Sequence, residues 1–351
     1  MWESNVRKVV PYVPGEQPKI EGIIKLNTNE NPYPPAPAVA ERLPKIDAGL
    51  YRKYPDPTCS VLTDSLAEFY NVSPKQVFVG VGSDDVLAMA FLTFFNSDKP
   101  ILFADVTYSF YDVWANVFKI PYETVPLKSD FSINPKDYMI PNGGVVIANP
   151  NAPTGLYLDT QGIEEIIKAN LGNVVIVDEA YIDFGGESVL PLVDKYENLL
   201  VVRTFSKSRS MAGMRIGFAI GSEKLIKYLS DVKYSINSYT LNMASLELGA
   251  LAVADRQYFE TTCKKVIETR ERSKTELKKL GFSFPDSYTN FIFAKYDGDM
   301  DRDTIASELR KRKIVVRCFN GDRVNDYMRI SIGTDEEMDA LFNALKEILH
   351  A

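Results

Sequence analysis

The residues best suited to covalent chemistry lie in the stretch 204–215, which holds one lysine among hydroxyl side chains. Lys207 follows the apolar run 199–202, which is typical of a buried parallel strand. In open α/β sheets ligands bind beyond the carboxyl ends of the strands, so we expect this lysine to face a cleft. An uncharged lysine amine attacks carbonyl carbons, and Ser206, Ser208 and Arg215 could hold an anion beside it. The stretch suits a phosphorylated aldehyde, although a solvated surface loop has a similar composition.

Two further strand ends carry groups that could act together with this lysine. Asp178 ends the apolar run 174–177, and Gly82 follows a strand predicted at 77–79 and begins a predicted helix. Right-handed crossovers bring the carboxyl ends of parallel strands to one edge of a sheet, so these groups should meet in one cleft. A helix N-terminus attracts phosphate, and a carboxylate can keep a pyridine nitrogen protonated. An amine, a carboxylate and a phosphate site together match the needs of pyridoxal phosphate.

The composition argues against several other functions. The 351 residues carry a formal net charge of −7 without a basic stripe, so we expect no nucleic-acid partner. The three cysteines lack metal-ligand spacing and the single histidine is the penultimate residue, His350, so we expect neither a metal site nor a Ser–His–Asp triad. Nothing resembles a signal peptide or a membrane span of about 20 apolar residues, which predicts a cytoplasmic protein without a membrane partner.

The order of predicted elements indicates an α/β fold. Apolar runs alternate with helical segments up to residue 221, which predicts a mostly parallel seven-stranded sheet covered by helices. The later residues predict a small α+β domain. We therefore expect an N-terminal segment (1–40) that packs with the small domain, a large domain (41–240), a long connecting helix (241–280) and the small domain (281–351). The predicted strands of the large sheet are 77–79, 101–104, 122–127, 145–148, 174–177, 199–202 and 216–220.

A dinucleotide site is the alternative from another class of enzyme. Gly80 and Gly82 follow a strand, and Asp105 lies near the end of the next one, which imitates the fingerprint of NAD-dependent dehydrogenases. Asp85, however, occupies the third glycine position, where a carboxylate would crowd and repel a pyrophosphate. The pattern therefore favours the phosphorylated aldehyde.

In their order and spacing, these motifs resemble the fold-type I pyridoxal-phosphate aminotransferases and, among them, the histidinol-phosphate aminotransferase family. The resemblance covers nearly the whole chain. It is carried by LNTNENP (26–32), YPD (54–56), GSDD (82–85), TY (107–108), PTG (153–155), DEAY (178–181), SK (206–207) with AGMR (212–215), and MRISIGT (328–334).

The resemblance implies a homodimeric enzyme that interconverts L-histidinol phosphate and 2-oxoglutarate with imidazole acetol phosphate and L-glutamate, in histidine biosynthesis. Lys207 would bind pyridoxal 5'-phosphate covalently and move the proton, Asp178 would pair with its ring nitrogen, and Tyr181 would donate to its phenolic oxygen. Tyr54 would reach the site of the neighbouring subunit. The implied cofactor-binding residues are Tyr54, Ser83, Asp84, Tyr108, Asn151, Asp178, Tyr181, Ser206, Lys207 and Arg215; the implied substrate-binding residues are Tyr12, Asn29, Glu30, Arg317 and Arg329.

Two questions stay open at the level of the sequence. The family usually has a second asparagine in the loop before PTG, where it bonds the phenolic oxygen of the cofactor, but this chain has Ala152 there. Tyr181 alone or a water could take over, and the neighbouring Asn151 is the nearest amide. The substrate is also open, because aromatic amino-acid aminotransferases and threonine-phosphate decarboxylases have similar motifs. Arg317 and Arg329 together with Tyr12 favour a doubly charged phosphate.

Overall fold

The fold is known from a computed structural model, which describes residues 1–349; His350 lies outside the described residues. The strands are β1 (Ile24–Leu26), β2 (Val77–Gly80), β3 (Ile101–Ala104), β4 (Tyr122–Val125), β5 (Gly144–Ala148), β6 (Val175–Asp178), β7 (Leu199–Thr204), β8 (Gly217–Gly221), β9 (Phe282–Ser283), β10 (Phe291–Tyr296), β11 (Ile314–Cys318) and β12 (Tyr327–Ser331). The helices are α1 (Pro37–Arg42), α2 (Ser60–Tyr70), α3 (Gly82–Phe94), α4 (Tyr111–Phe118), α5 (Thr160–Ala169), α6 (Glu223–Ile236), α7 (Met243–Ala254), α8 (Arg256–Lys279), α9 (Arg302–Lys311) and α10 (Asp335–Leu349).

The large sheet has seven strands in the order β2-β8-β7-β6-β5-β3-β4. Strands β3 to β7 all run parallel to one another, whereas β8 is antiparallel to both β2 and β7. Every residue of β5, β6 and β7 is buried, because helices cover both faces of the sheet. The prediction of a mostly parallel seven-stranded sheet is therefore confirmed.

Strands β5, β6 and β7 are adjacent and place three loops side by side. In the pairing register, Ala148 lies beside Asp178 and Asp178 lies beside Val202. The loops that leave the carboxyl ends of these strands therefore begin at the same edge of the sheet. One of them contains Lys207.

The small sheet has five strands in the order β1-β11-β12-β10-β9. Strand β1, from the N-terminal segment, pairs parallel with β11. Arg317 on β11 and Arg329 on β12 are direct neighbours in an antiparallel pair. Helices α8, α9 and α10 supply the apolar side chains, among them Val266, Leu309 and Leu341, that bury one face of this sheet.

The helical region after the large sheet differs from the prediction. A single connecting helix over 241–280 is wrong, because α7 ends and α8 begins at Asp255, whose side chain accepts a hydrogen bond from the Tyr258 amide and caps the new helix. The two helices also have different partners, since apolar α7 packs against α2 and charged α8 covers the small sheet. No helix within residues 1–349 is both long and apolar enough to cross a membrane.

Candidate active site

A cavity of about 220 Å³ lies at the edge of the large sheet where β5, β6 and β7 end. Asp178 and Lys207 both line it, together with Ser83 at the N-terminus of α3. The structure thus brings together the carboxylate, the amine and the helix start that were expected to share one cleft. The walls also include Thr28, Glu30, Tyr108, Ala152, Tyr181 and Arg215.

The carboxylate of Asp178 is buried and lacks a cation. The hydroxyl of Tyr111 donates to Oδ2 over 2.9 Å, and the amide of Ala180 donates to Oδ1 over 3.1 Å. Burial raises the pKa of Asp178 to about 6, although both hydrogen bonds act in the opposite direction. No lysine or arginine among residues 1–349 forms a hydrogen bond or a salt bridge with this carboxylate, whose partners are Tyr111 and Ala180. A buried carboxylate of this kind is well placed to receive a cationic ligand atom.

The amine of Lys207 lines the same cavity and has no acidic hydrogen-bond partner within residues 1–349. Its Nζ donates to the carbonyl oxygen of Thr28 over 3.3 Å and lies 5.6 Å from the centroid of the Tyr181 ring. The Asn31 side chain donates to the carbonyl oxygen of Lys207 over 2.9 Å and fixes the backbone of the loop. The amine therefore faces the cavity with weak contacts that a ligand can replace.

An anion site lies at the other side of the same cavity. Gly82 has a φ of 85°, and a Cβ built there would come within 2.7 Å of the Arg215 guanidinium, so glycine lets the arginine approach the helix start. Arg215 contacts the Asp84 carboxylate over 3.4 Å, and Ser206 also lines the cavity. Free amides at a helix N-terminus, a hydroxyl and a guanidinium together form a site suited to a phosphate group.

A second cavity of about 450 Å³ adjoins the first and shares Lys207 and Tyr181 with it. Arg317 and Arg329 line this outer cavity. Arg329 donates to the Asn27 carbonyl oxygen over 3.1 Å, its Nε has no hydrogen-bond partner in the described part of the chain, and burial lowers its pKa. Among the described residues, Arg317 donates only to the carbonyl oxygens of residues 13 and 14. Two guanidinium groups are thus available to an anionic ligand.

The N-terminal segment forms one wall of the outer cavity. The Tyr12 ring stacks on the Phe110 ring with a centroid distance of 4.0 Å, and both residues line this cavity. Gln17, which sequence reasoning did not single out, lines both cavities. The segment therefore covers the region where a substrate would enter.

Most of the predicted site residues line one of these two cavities, but Asn151 does not. Its side chain is buried and fully used: Thr107 donates to its Oδ1 over 2.7 Å, and its Nδ2 donates to the Val106 carbonyl oxygen and the Thr154 hydroxyl. The Asn151 amide therefore lies outside both cavities, and its assignment as a cofactor-binding residue stays a prediction. Ala152 lines the cavity in its place.

Tyr54 is the other predicted residue that lies away from the cavities of its own chain. Its side chain is 80% exposed, and its ring stacks on the Tyr239 ring with a centroid distance of 4.6 Å. The predicted contact of Tyr54 with a neighbouring subunit stays a prediction.

Sequence reasoning missed Tyr111 and a buried ionic network. Tyr111 is the first residue of α4, three residues after Tyr108, which lies before the helix, and this closeness in sequence to a predicted site residue was the available signal. The network begins at Glu179 and ends at Ser208, the residues that directly follow Asp178 and Lys207.

Arg203 is the centre of this network. It donates to Glu179 over 2.7 Å and to Asp183 over 3.2 Å, and the Ser208 hydroxyl donates to Asp183 over 2.6 Å. The side chains of Arg203 and Glu179 are almost completely buried. The network ties together the two loops that carry the buried carboxylate and the amine.

Known proteins with similar sequences and structures share this arrangement of elements. Residues 21–345 match the family described as aminotransferase class I and II. A histidinol-phosphate aminotransferase of Clostridium acetobutylicum is 51% identical over 348 residues, which are 99% of each chain. Histidinol-phosphate aminotransferase 1 of Hydrogenovibrio crunogenus is 50% identical over 99% of this chain and 98% of its own. The crystal structure of histidinol-phosphate aminotransferase from Sinorhizobium meliloti in complex with pyridoxal-5'-phosphate has a TM-score of 0.86 at 24% identity and covers 93% of this chain and 91% of its own.

Proposed function

The chain belongs to the aminotransferase class I and II family, and from this membership we propose that it is a histidinol-phosphate aminotransferase. It interconverts L-histidinol phosphate and 2-oxoglutarate with imidazole acetol phosphate and L-glutamate, a reaction of histidine biosynthesis. Enzymes of this family depend on pyridoxal phosphate. The alternative of an NAD-dependent dehydrogenase is wrong, because the chain matches an aminotransferase family over nearly its whole length.

The observation that carries this proposal is the buried Asp178 carboxylate, which shares a cavity with the Lys207 amine and has no cationic partner in the described residues. Pyridoxal phosphate fits these residues, since it offers a ring nitrogen that can be protonated, an aldehyde and a phosphate. We assign the ring nitrogen to Asp178 and the aldehyde to Lys207. The phosphate is assigned to the start of α3 at Ser83 and Asp84, with Ser206 and Arg215, and the ring face to Tyr108.

When bound, the cofactor withdraws electrons from the substrate carbon that carries the amino group. The protein residues position the reacting groups and move the proton. The Asp178 carboxylate, oriented by Tyr111, would hold a proton at the ring nitrogen of the bound cofactor. The Lys207 Nζ would act as the acid and base that takes the proton from the substrate α-carbon and gives it back in the transfer. The Tyr181 hydroxyl would donate to the phenolic oxygen of the bound cofactor.

The outer cavity supports a phosphate substrate. Arg317 and Arg329 supply two positive charges, neither of which is paired with a carboxylate within residues 1–349, and a guanidinium binds phosphate through two parallel hydrogen bonds. Tyr12 adds a hydroxyl at the wall formed by the N-terminal segment. We assign the phosphate of histidinol phosphate to this group. Asn29 and Glu30 remain proposed substrate-side residues.

One observation also favours the aromatic amino-acid aminotransferase alternative. The rings of Tyr12, Phe110 and Phe319 line the outer cavity and would contact an aromatic side chain as readily as an imidazole. The two substrates differ in charge, so turnover of L-histidinol phosphate and of L-phenylalanine by the same enzyme separates the two functions.

The test is a half-reaction without a keto acid. L-Histidinol phosphate added to the purified, pyridoxal-phosphate-loaded protein should remove the visible absorbance of the cofactor, and 2-oxoglutarate added afterwards should restore it. A loss of absorbance with phenylalanine but none with histidinol phosphate would support the aromatic alternative. No change with any amino donor would contradict aminotransferase activity.

We also propose that the enzyme is a homodimer in which Tyr54 reaches the site of the partner subunit. Exposed apolar side chains support this proposal, because Leu50, Tyr51, Ile236 and Tyr239 are exposed together with Tyr54. The division into an N-terminal segment (1–40), a large domain (41–240), a helical connection (241–280) and a small domain (281–351) also stays a proposal. A cytoplasmic location is a prediction from the sequence.

A further inference from the structure

Asn29 bonds directly to a tyrosine of the active-site cavity. Its side-chain Nδ2 donates to the Tyr181 hydroxyl oxygen over 2.9 Å, although the two residues are far apart in the sequence. Asn29 is 1% exposed, and Tyr181 lines the cavity beside Lys207 and Ala152. This is the only hydrogen bond of the Tyr181 hydroxyl within residues 1–349. The hydrogen-bonding role of the Tyr181 hydroxyl, as donor or acceptor, is therefore set by Asn29.

The orientation of the Asn29 amide follows from the protons available around it. The backbone amide of Asn29 donates to the Ser331 hydroxyl over 2.8 Å, so the single proton of that hydroxyl is free to go to Asn29 Oδ1, 3.1 Å away. With the amide reversed, the buried Ser331 proton would have no acceptor, which is unfavourable. The nitrogen of the amide therefore faces Tyr181.

The backbone holds Asn29 in place. Its φ is 55°, a left-handed conformation that asparagine tolerates better than most residues. The buried side chain of Asn290 donates to the Asn29 carbonyl oxygen over 3.0 Å. Ser331 is the last residue of β12, and Asn290 lies directly before β10. The small sheet therefore fixes the position of the Asn29 side-chain amide. Because the Asn29 amide is held in place, its hydrogen bond can orient the Tyr181 hydroxyl.

An amide nitrogen can only donate, so the Tyr181 oxygen must accept from Asn29, and its own proton is left for another acceptor. We propose that Asn29 is a positioning residue that directs the Tyr181 proton toward the phenolic oxygen of pyridoxal phosphate. It thereby offsets the absence of an amide at Ala152. The inference rests on the proposed function, because it requires that cofactor.

The test measures the pH at which the lysine-bound cofactor changes colour in the absence of any substrate. A hydrogen bond donated to the phenolic oxygen stabilises its ionised form and lowers this pH. In an Asn29→Asp variant the new carboxylate accepts the Tyr181 proton, so the pH should rise by about 1 unit, as expected for the loss of one charge-assisted hydrogen bond. All variants keep the charged groups that line the two cavities, namely Glu30, Asp84, Asp178, Lys207, Arg215, Arg317 and Arg329.

The same substitution in a Tyr181→Phe background separates positioning from a direct effect of the added charge. The shift caused by Asn29→Asp should nearly vanish there, because no hydroxyl remains to be reoriented. A second variant, Ser331→Ala, should produce a smaller shift in the same direction, which also depends on Tyr181. Adding Ala152→Asn to Asn29→Asp restores a donor and should lower the pH again.

The proposal would be overturned if Asn29→Asp shifted the pH of the colour change equally in proteins with and without the Tyr181 hydroxyl. It would also be overturned if adding Ala152→Asn left that shift unchanged. Circular dichroism and thermal unfolding of each variant show whether it is folded. A protein that binds the cofactor but does not use histidinol phosphate contradicts the proposed substrate and leaves this inference standing. A protein that takes up no pyridoxal phosphate overturns both.

Discussion

Arg317 and Arg329 lie directly opposite each other on the antiparallel strands β11 and β12. Like charges in this arrangement are destabilising, by roughly 0.2–1 kcal/mol for such cross-strand pairs. Neither guanidinium is paired with a carboxylate within the described chain; both donate to backbone carbonyl oxygens instead. A bound dianion would remove the repulsion. The pair is therefore better explained by ligand binding than by the stability of the sheet.

Arg317→Ala should raise the KM for histidinol phosphate roughly 10- to 100-fold with little change in kcat. A hydrogen bond to a charged group is worth about 1.5–3 kcal/mol, and each 1.4 kcal/mol corresponds to about tenfold in affinity. Arg312→Ala is the matched control, because this exposed arginine directly follows α9 and pairs with Glu308 of α9 and Glu347 of α10. Steady-state kinetics with L-histidinol phosphate and with L-phenylalanine as amino donors measures the change in KM and kcat. An equal loss with phenylalanine would show that Arg317 does not recognise the phosphate.

Asp178→Asn should stabilise the cofactor-free protein at neutral pH. Burial raises the pKa of Asp178 to about 6, above its unfolded value of about 4, so the folded state binds more protons between these values. The contribution of Asp178 to stability is therefore lost as the pH rises through this window, by roughly 3 kcal/mol in total. Urea unfolding of the wild type and of Asp178→Asn at about pH 4 and about pH 7 measures the difference in their free energies of unfolding. This difference should be present only at the higher pH.

The same Asp178→Asn substitution should weaken stabilisation by the cofactor. Adding pyridoxal phosphate should raise the unfolding midpoint of the wild type more than that of the variant, because only the wild type gains an ion pair at the ring nitrogen. Equal stabilisation of both proteins would contradict the assignment of the ring nitrogen to Asp178.

Lys207→Ala should abolish covalent retention of the cofactor and lower turnover roughly 100- to 10 000-fold, the usual range for the loss of a positioned acid–base group. Borohydride should attach the cofactor to the wild type but not to the variant. Lys227→Ala is the control, since this exposed lysine lies outside the site and pairs with Asp231. Covalent attachment that survives in Lys207→Ala would place the reactive amine elsewhere.

Two variants that are inactive alone should complement each other if Tyr54 serves the neighbouring subunit. In a mixed dimer of Tyr54→Ala and Lys207→Ala chains, one of the two sites has both an intact tyrosine and an intact lysine. After denaturation and refolding of an equal mixture, about a quarter of the wild-type activity should return. If the mixture is no more active than the Tyr54→Ala protein in it, Tyr54 does not act across the interface.

Arg203→Ala should lower the free energy of unfolding by about 3–5 kcal/mol, because it leaves the carboxylate of Glu179 buried without a partner. Chemical unfolding of the cofactor-free protein measures this change. Lys227→Ala breaks an exposed pair and should change stability by less than about 1 kcal/mol. A small effect of Arg203→Ala would mean that water reaches Glu179 once the guanidinium is gone.

The large sheet and the meeting of Asp178 with Lys207 could be predicted because both follow from local rules. Strands buried on both faces leave uninterrupted apolar runs, and the crossover rule brings their carboxyl ends to one edge. The break at Asp255 was missed, because a helical pattern continues on both sides of it and only the capping contact with Tyr258 ends one helix and begins the next.

The sequence by itself determined the order of the elements, the family and the residues that could do the chemistry, since these depend on residue types and on neighbours along the chain. Only the tertiary structure decided which side chains are free to act. The Asn151 side chain bonds to its own loop and to the loop after β3, and the Tyr111 hydroxyl bonds to Asp178. Asn29 contacts Tyr181 because Ser331 at the end of β12 and Asn290 just before β10 hold it there. Hydrogen bonds between residues that are distant in sequence depend on the packing of whole elements, and no local pattern records them.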